Sequence, residues 1–283
     1  MRSTDLPVGS GEKGDRAKRL ADELRSALAT VPKAKLVRCV LMTPVHTTAG
    51  VKYRLSKAAS VVRRLIINTD DLMVEGYKSF RAGDARGYAE RCLKSGKAVL
   101  KSSASTSRAI AHQMPRWLHK VRTGPADALP EVIGATLGLL IGSGGLDANG
   151  GLPDLDLMAG IGNHRSFLTH SILMGAASEA VLIALDEVVL LAYENLPADH
   201  DPIWDTLYCD FQRTTRAAKV GVGLGIAYHL GTDGSLQVAA YKDLPFSIPM
   251  AAHEALFEMN AGVEAIYATS KLNIDRPETS ANE

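Results

Sequence analysis

Three aspartates and three histidines punctuate an otherwise apolar part of this chain. Pro153-Asp154-Leu155-Asp156 comes first. His164-Arg165-Ser166-Phe167-Leu168-Thr169-His170 follows, and His229-Leu230-Gly231-Thr232-Asp233 completes the set. Carboxylates and imidazoles are costly to bury unless they pair, hydrogen-bond or coordinate a metal. Three of each make a nitrogen and oxygen donor set that suits zinc, with manganese or iron as alternatives. The chemistry open to such a set is that of a divalent cation, with six candidate ligands: Asp154, Asp156, His164, His170, His229 and Asp233.

Each element also has a plain structural explanation. His229 and Asp233 are four apart and share a face if the segment is helical; a hydrogen bond at a helix end, with Gly234 ending the helix, would account for them equally well. Asp154 and Asp156 follow Pro153 and a run of glycines, where both could converge, or could simply cap the next segment. With Ser166 as an N-cap, His164 precedes a helix and His170 falls in its second turn. Arg165 is the only basic residue from 128 to 212, suited to holding a phosphate or to pairing with a ligand aspartate. Thr169 could supply a supporting hydrogen bond. His46, His112, His119, His200 and His253 are read as surface or structural residues, with His253 the reserve ligand, and Glu179 is expected to face elsewhere.

The elements that must position these groups read as helices. Aromatics are 5% of the 283 residues, and the composition is 46% apolar and 22% charged, which favours packed helices over a β-sandwich or barrel. Residues 1–14 read as a disordered polar tail. Leu20, Leu24 and Leu28 give a helix over 15–30, ended by Pro32. Residues 34–45 are ambiguous between strand and helix, and 51–68 are helical. Segments 70–82 and 84–101 form a hairpin, and a further helix runs through Trp117 and His119. Thr123-Gly124-Pro125 is a break. Then follow an apolar segment at 129–142, a glycine-rich loop at 143–151, helices over 166–196, 211–231 and 246–268, and a tail at 272–283. The fold class is all-α: a basic helical region over 15–124 precedes a multi-helix bundle over 125–271 that carries the donor set.

Charge divides at the same break. Residues 1–127 hold 25 Lys and Arg against 11 Asp and Glu, whereas residues 128–283 hold 7 against 20. Such asymmetry points to an interaction surface on the basic half. Its partner could be an anionic membrane, nucleic acid, or an acidic half of the same or another subunit. No helix-turn-helix, zinc-finger or RNA-binding motif is present, which argues against nucleic acid. Cys39, Cys92 and Cys209 form no CxxC pair, so a disulfide framework is not indicated and a reducing cytoplasm is the expected home. No apolar secretory segment opens the chain. Residues 129–142 are too short to span a bilayer, and Glu179, Asp186, Glu187 and Glu194 make the next apolar helix expensive in lipid.

Taken together, Leu152-Pro153-Asp154-Leu155-Asp156, the His164-to-Ser171 run and His229 with Asp233 resemble the LexA-binding, inner-membrane-associated metal-dependent hydrolases. A more distant likeness is to zinc-dependent phospholipase C. The resemblance covers about residues 130–240. The family pattern often has a His after its second Asp, where this chain has Leu157. The resemblance implies a metal-dependent hydrolase; metal plus arginine points to a phosphoester, and the basic half to a lipid headgroup or a nucleotide. One or two metals would activate a water, Asp156 would accept its proton and Arg165 would hold the substrate anion. It also implies a cytoplasmic protein peripheral to the inner membrane. The alternative is a non-catalytic, metal-stabilised helical binding protein that docks a membrane or an acidic partner through its basic half.

Overall fold

The computed structural model describes residues 10–81, 122–145, 147, 148, 150–160, 164–236, 240–245 and 247–271. Every regular element among them is helical: α1 Ser10–Thr30, α2 Lys33–Arg81, α3 Pro125–Ser143, a short 3-10 helix Pro153–Ala159, α4 Ile172–Glu194, α5 Ile203–Ser235 and α6 Met250–Lys271. The fold is an all-α bundle, as composition and periodicity predict. The expected hairpin partner at 84–101 and the helix through Trp117 and His119 lie outside the described residues.

Several boundaries differ from the sequence reading. The first helix begins at Ser10, so Gly11 and Gly14 lie within it and not in a polar tail. The ambiguous 34–45 segment joins 51–68 in one long helix that accommodates Pro44. The break at Gly124 is present, and Pro125 opens α3. The helix expected to begin at Ser166 instead begins at Ile172. Ser166 and Ser171 both precede apolar residues, but it is the Ser171 hydroxyl that accepts a hydrogen bond from the Leu173 N–H. His170 therefore lies in a loop ahead of the helix.

The helix α3 packs against α5 at backbone distance. A Cβ on Gly138 would sit 2.4 Å from the Ala218 carbonyl oxygen, and one on Gly225 2.4 Å from the Leu139 carbonyl oxygen. The glycines thus permit an approach that no side chain would tolerate. The face of α3 turned inward is small: Ala128, Gly134, Gly138 and Gly142 are buried. Its large apolar residues, including Ile133, Leu137 and Ile141, face outward. Among the described residues, α3 is the one helix long and apolar enough to cross a membrane.

The apolar core lies between α5 and α6. Val222, Ile226, Leu230, Tyr241, Phe257 and Ala261 form its buried centre. A second interior region is charged. The Arg54 guanidinium, 3% exposed, bonds Glu264 through Nε at 2.7 Å and Glu179 through Nη1 at 2.7 Å. It also lies 3.7 Å over the Tyr267 ring. These contacts fasten α2 to α4 and α6 with charge-assisted hydrogen bonds. Burial and, to a lesser extent, the nearby Glu179 push the Glu264 carboxyl up to about 7, against the pull of Arg54.

The charge asymmetry is partly answered within the chain. Arg16 bonds Asp201 at 2.8 Å, Arg19 reaches the Asp199 carbonyl, and His46 pairs with Glu187. Lys219 pairs with Asp186. Three of the four acidic residues of α4 that look costly in lipid face partners: Glu179 meets Arg54, Asp186 meets Lys219 and Glu187 meets His46.

Candidate functional site

The six expected residues come together where three chain segments meet. The 3-10 helix brings Asp154 and Asp156, the loop before α4 brings His164 and His170, and the last turns of α5 bring His229 and Asp233. The shared helical face of His229 and Asp233 is present, although α5 continues through Gly234 to Ser235. His170 is fully buried, and His229, Asp233 and Asp156 are nearly so; His164 is half-buried on the open side.

Four of these residues share one arrangement. Each has one polar atom tied outward and a second aimed at a common centre. Asp154 Oδ2 accepts the Gly150 N–H at 2.6 Å. The His229 Nδ1 bonds the Ser143 carbonyl at 3.2 Å. Asp233 Oδ1 pairs with Arg165 at 3.2 Å. His170 Nδ1 meets the Thr169 hydroxyl at 2.9 Å. The inward atoms then face one another. His170 Nε2 is 3.5 Å from Asp154 Oδ1 and 3.5 Å from Asp233 Oδ2. His229 Nε2 is 3.6 Å from Asp154 Oδ1 and 3.7 Å from Asp233 Oδ2.

The network fixes both imidazole tautomers. A carbonyl can only accept, so His229 carries its proton on Nδ1. The Thr169 hydroxyl donates to Asp156 Oδ2 at 2.7 Å. Its oxygen therefore accepts from His170 Nδ1–H. In the neutral form of each ring, Nε2 is then a lone pair aimed at two carboxylates. The spacings exceed hydrogen-bond length, and Asp154 Oδ1, His170 Nε2 and Asp233 Oδ2 are buried with no hydrogen-bond partner. Four electron-rich atoms this close repel unless positive charge lies among them. A tetrahedral cation with bonds of about 2.0–2.2 Å would set its ligand atoms roughly 3.3–3.6 Å apart; the four His–Asp spacings are close to that, and the inward atoms of Asp154, His170 and His229 lie within 4.8 Å of one another.

Asp156 serves this group from behind. Its Oδ2 accepts from the Ser166 N–H at 2.9 Å and from Thr169, and lies 3.3 Å from His170 Nδ1. A carboxylate behind an imidazole fixes its orientation and raises its basicity. The other oxygen, Oδ1, is buried without a hydrogen-bond partner 3.5 Å from His164 Nδ1, which is 3.4 Å from Asp154 Oδ1. Asp156, His164 and His170 thus form a second candidate donor group beside that of Asp154, His170 and His229. Burial by itself would raise the Asp156 carboxyl. It is outweighed by bonds from Thr169 and the Ser166 N–H, leaving that carboxyl below the usual carboxylate range.

No protein-family profile, curated protein or solved structure matches this chain. The reading of the site therefore rests on its geometry. Arg165 is engaged with Asp233, so it first acts to turn that carboxylate, and its backbone takes a left-handed conformation at φ 65°. His253 belongs to neither candidate donor group, and its Nδ1 accepts the Tyr241 N–H at 3.1 Å. Glu179 faces Arg54, away from the site, as its spacing from His170 predicts.

Sequence reasoning missed the supports. The Tyr241 hydroxyl donates to the His170 carbonyl at 2.6 Å and accepts from Asn260 at 3.1 Å. Asp243 accepts the Phe167 N–H at 2.7 Å. Residues 240–245 lie outside any helix and carry no periodicity, so nothing in their spacing announces these contacts. The position of Ser143 follows from the glycine-mediated packing of α3 on α5, which brings the end of α3 to His229.

Proposed function

We propose that this chain is a metal-dependent hydrolase acting on a phosphoester. The observation that carries this reading is the convergence of four donor atoms from Asp154, His170, His229 and Asp233, each residue anchored outward through its other polar atom. A divalent metal held there, zinc by preference for this donor set, supplies Lewis acidity and a bound water of lowered pKa.

The chain's own groups have the following roles. Asp156 Oδ2 and Thr169 hold His170 in its metal-ready tautomer. Asp156 Oδ1 and His164 lie on the open side, where Asp156 Oδ1 accepts a proton and His164 passes it to solvent; the same pair could seat a second cation with Asp154. Arg165 acts through Asp233. In this reading the substrate is a small anionic phosphoester, a lipid headgroup or a nucleotide, met in the cytoplasm. Kinship with the LexA-binding, inner-membrane-associated hydrolases belongs to the same proposal and rests on the motifs alone.

A second reading is a non-catalytic binding protein whose metal only joins helices. The full burial of His170 favours it, because a cation there would cross-link three chain segments. One experiment separates the two. The purified protein is loaded with zinc, manganese or ferrous iron and assayed on generic phosphoesters, beside His170→Ala and Asp154→Ala. Metal-dependent turnover abolished in both variants, with helicity retained, supports the hydrolase. Tight metal without turnover supports the structural role, and failure to bind any of the three metals overturns both.

A further inference from the structure

The helix α2 is polar on the side turned inward and apolar on the side turned to solvent. Facing the bundle it buries Thr43, Thr47 and Arg54. About a third of a turn away, Val37, Leu41 and Val45 recur every four residues, flanked by Val40, and all are more than half exposed. A helix packed for water would present the reverse. The stripe has no cover among the described residues.

Its surroundings are cationic. From Lys33 to Thr69 the chain has eight Lys and Arg and no Asp or Glu. Lys33 stands four residues before Val37, in line with the stripe, while Lys35 and Arg38 lie on the same first turns; all three are exposed. Among the described residues, no carboxylate pairs with them. Arg16, Arg19, His46 and Arg54 already answer the acidic half of the chain, so these cations are left over from the internal pairing.

We infer that this face of α2 docks on an anionic lipid surface, with Val37, Val40, Leu41 and Val45 at the acyl boundary and Lys33, Lys35 and Arg38 among the headgroups. Charge decides the occupant. A second copy joined through the same face would bring two cationic rows together, which like-charge repulsion opposes. A protein groove would need both an apolar floor and an acidic rim to match the stripe and its cations. An anionic bilayer offers both a negative plane and an apolar layer beneath it, and helices of this kind lie in that interface. The inference concerns residues outside the proposed metal site and is independent of its chemistry.

The test is co-sedimentation of the full chain with vesicles of phosphatidylcholine alone and of phosphatidylcholine enriched in phosphatidylglycerol. The wild type is expected to bind the enriched vesicles and to release them at high salt. Combining Lys33→Gln, Lys35→Gln and Arg38→Gln is expected to weaken binding by roughly a hundredfold, at about a fivefold loss per cation. Val37→Ser with Leu41→Ser is expected to weaken it by at least as much. Both variants should keep the helical content, because these side chains make no contact with the core. Equal binding to both vesicle types, no binding to either, or binding unchanged in the triple variant would overturn the inference. So would a wild-type dimer that Val37→Ser with Leu41→Ser dissociates, since a second copy would then be the occupant.

Discussion

Replacing Asp154 with asparagine separates a cation site from an ordinary polar network, because the two predict opposite signs for stability. The Gly150 N–H bonds one carboxylate oxygen of Asp154. An asparagine keeps that bond with its carbonyl and presents its NH2 where Oδ1 stood. That position is 3.5 Å from His170 Nε2 and 3.6 Å from His229 Nε2. Both nitrogens are lone pairs in the tautomers set by Thr169 and Ser143. The amide therefore donates to atoms that face only carboxylates in the metal-free wild type. Two neutral hydrogen bonds contribute about 0.5–1.5 kcal/mol each at good geometry, and removing one negative charge from the cluster adds to them. At 3.5–3.6 Å these contacts are longer than hydrogen bonds and must close by a few tenths of an ångström to form, so a net stabilisation of about 1 kcal/mol is expected for metal-free protein. In a chain of this size that raises the melting temperature by about 2–4 °C. The same substitution removes a ligand, so zinc should stabilise the wild type and leave the variant unmoved. Thermal unfolding by circular dichroism, with chelator and with zinc, reads both effects. If Asp154→Asn melts below the wild type in chelator, the histidines are protonated and paired with the carboxylates, and the argument from opposed lone pairs is wrong.

Further outcomes follow from the supports. Arg165→Ala frees Asp233 to turn and should lower zinc affinity by roughly 10–100-fold, measured by competition with a chromogenic chelator. A loss confined to KM for the substrate would show that Arg165 holds the substrate instead. Gly225→Leu drives a side chain into the Leu139 backbone and should destabilise by at least about 3 kcal/mol, with zinc affinity falling as Ser143 leaves His229; a variant that melts with the wild type would refute the close packing. Glu264 holds its proton more tightly in the folded state, at about 7, than in an unfolded chain near 4.5. Its contribution to stability is thus complete below pH 4.5 and is lost as pH rises toward 7, by at most about 3 kcal/mol. Glu264→Gln should abolish that slope in urea unfolding followed across this range, and an unchanged slope would assign the dependence elsewhere.

The parts of the site that can be read from the chain are those carried by local spacing. His229 and Asp233 share a face because an α-helix brings residues four apart together. The convergence of Asp154 and His170 rests on residue type and on the glycines before Pro153. What escaped is set by tertiary contact. Asp156 reads as equivalent to Asp154, yet Thr169 and the Ser166 N–H turn its Oδ2 to the back of His170. Ser166 reads as the cap by type, whereas packing places the start of the helix at Ser171. Residues 34–45 are ambiguous between strand and helix by type, yet they run on through Pro44 as part of α2, and the Tyr241 bond to the His170 backbone spans 71 residues with no local trace.

Elemental analysis of the full chain, purified without chelator and then equilibrated with zinc, manganese or ferrous iron, bears most directly on the account. At least one equivalent of a divalent metal is expected in the wild type, and none in His170→Ala or Asp233→Ala that retain wild-type helicity. A wild-type chain that leaves all three metals in the dialysate would contradict it.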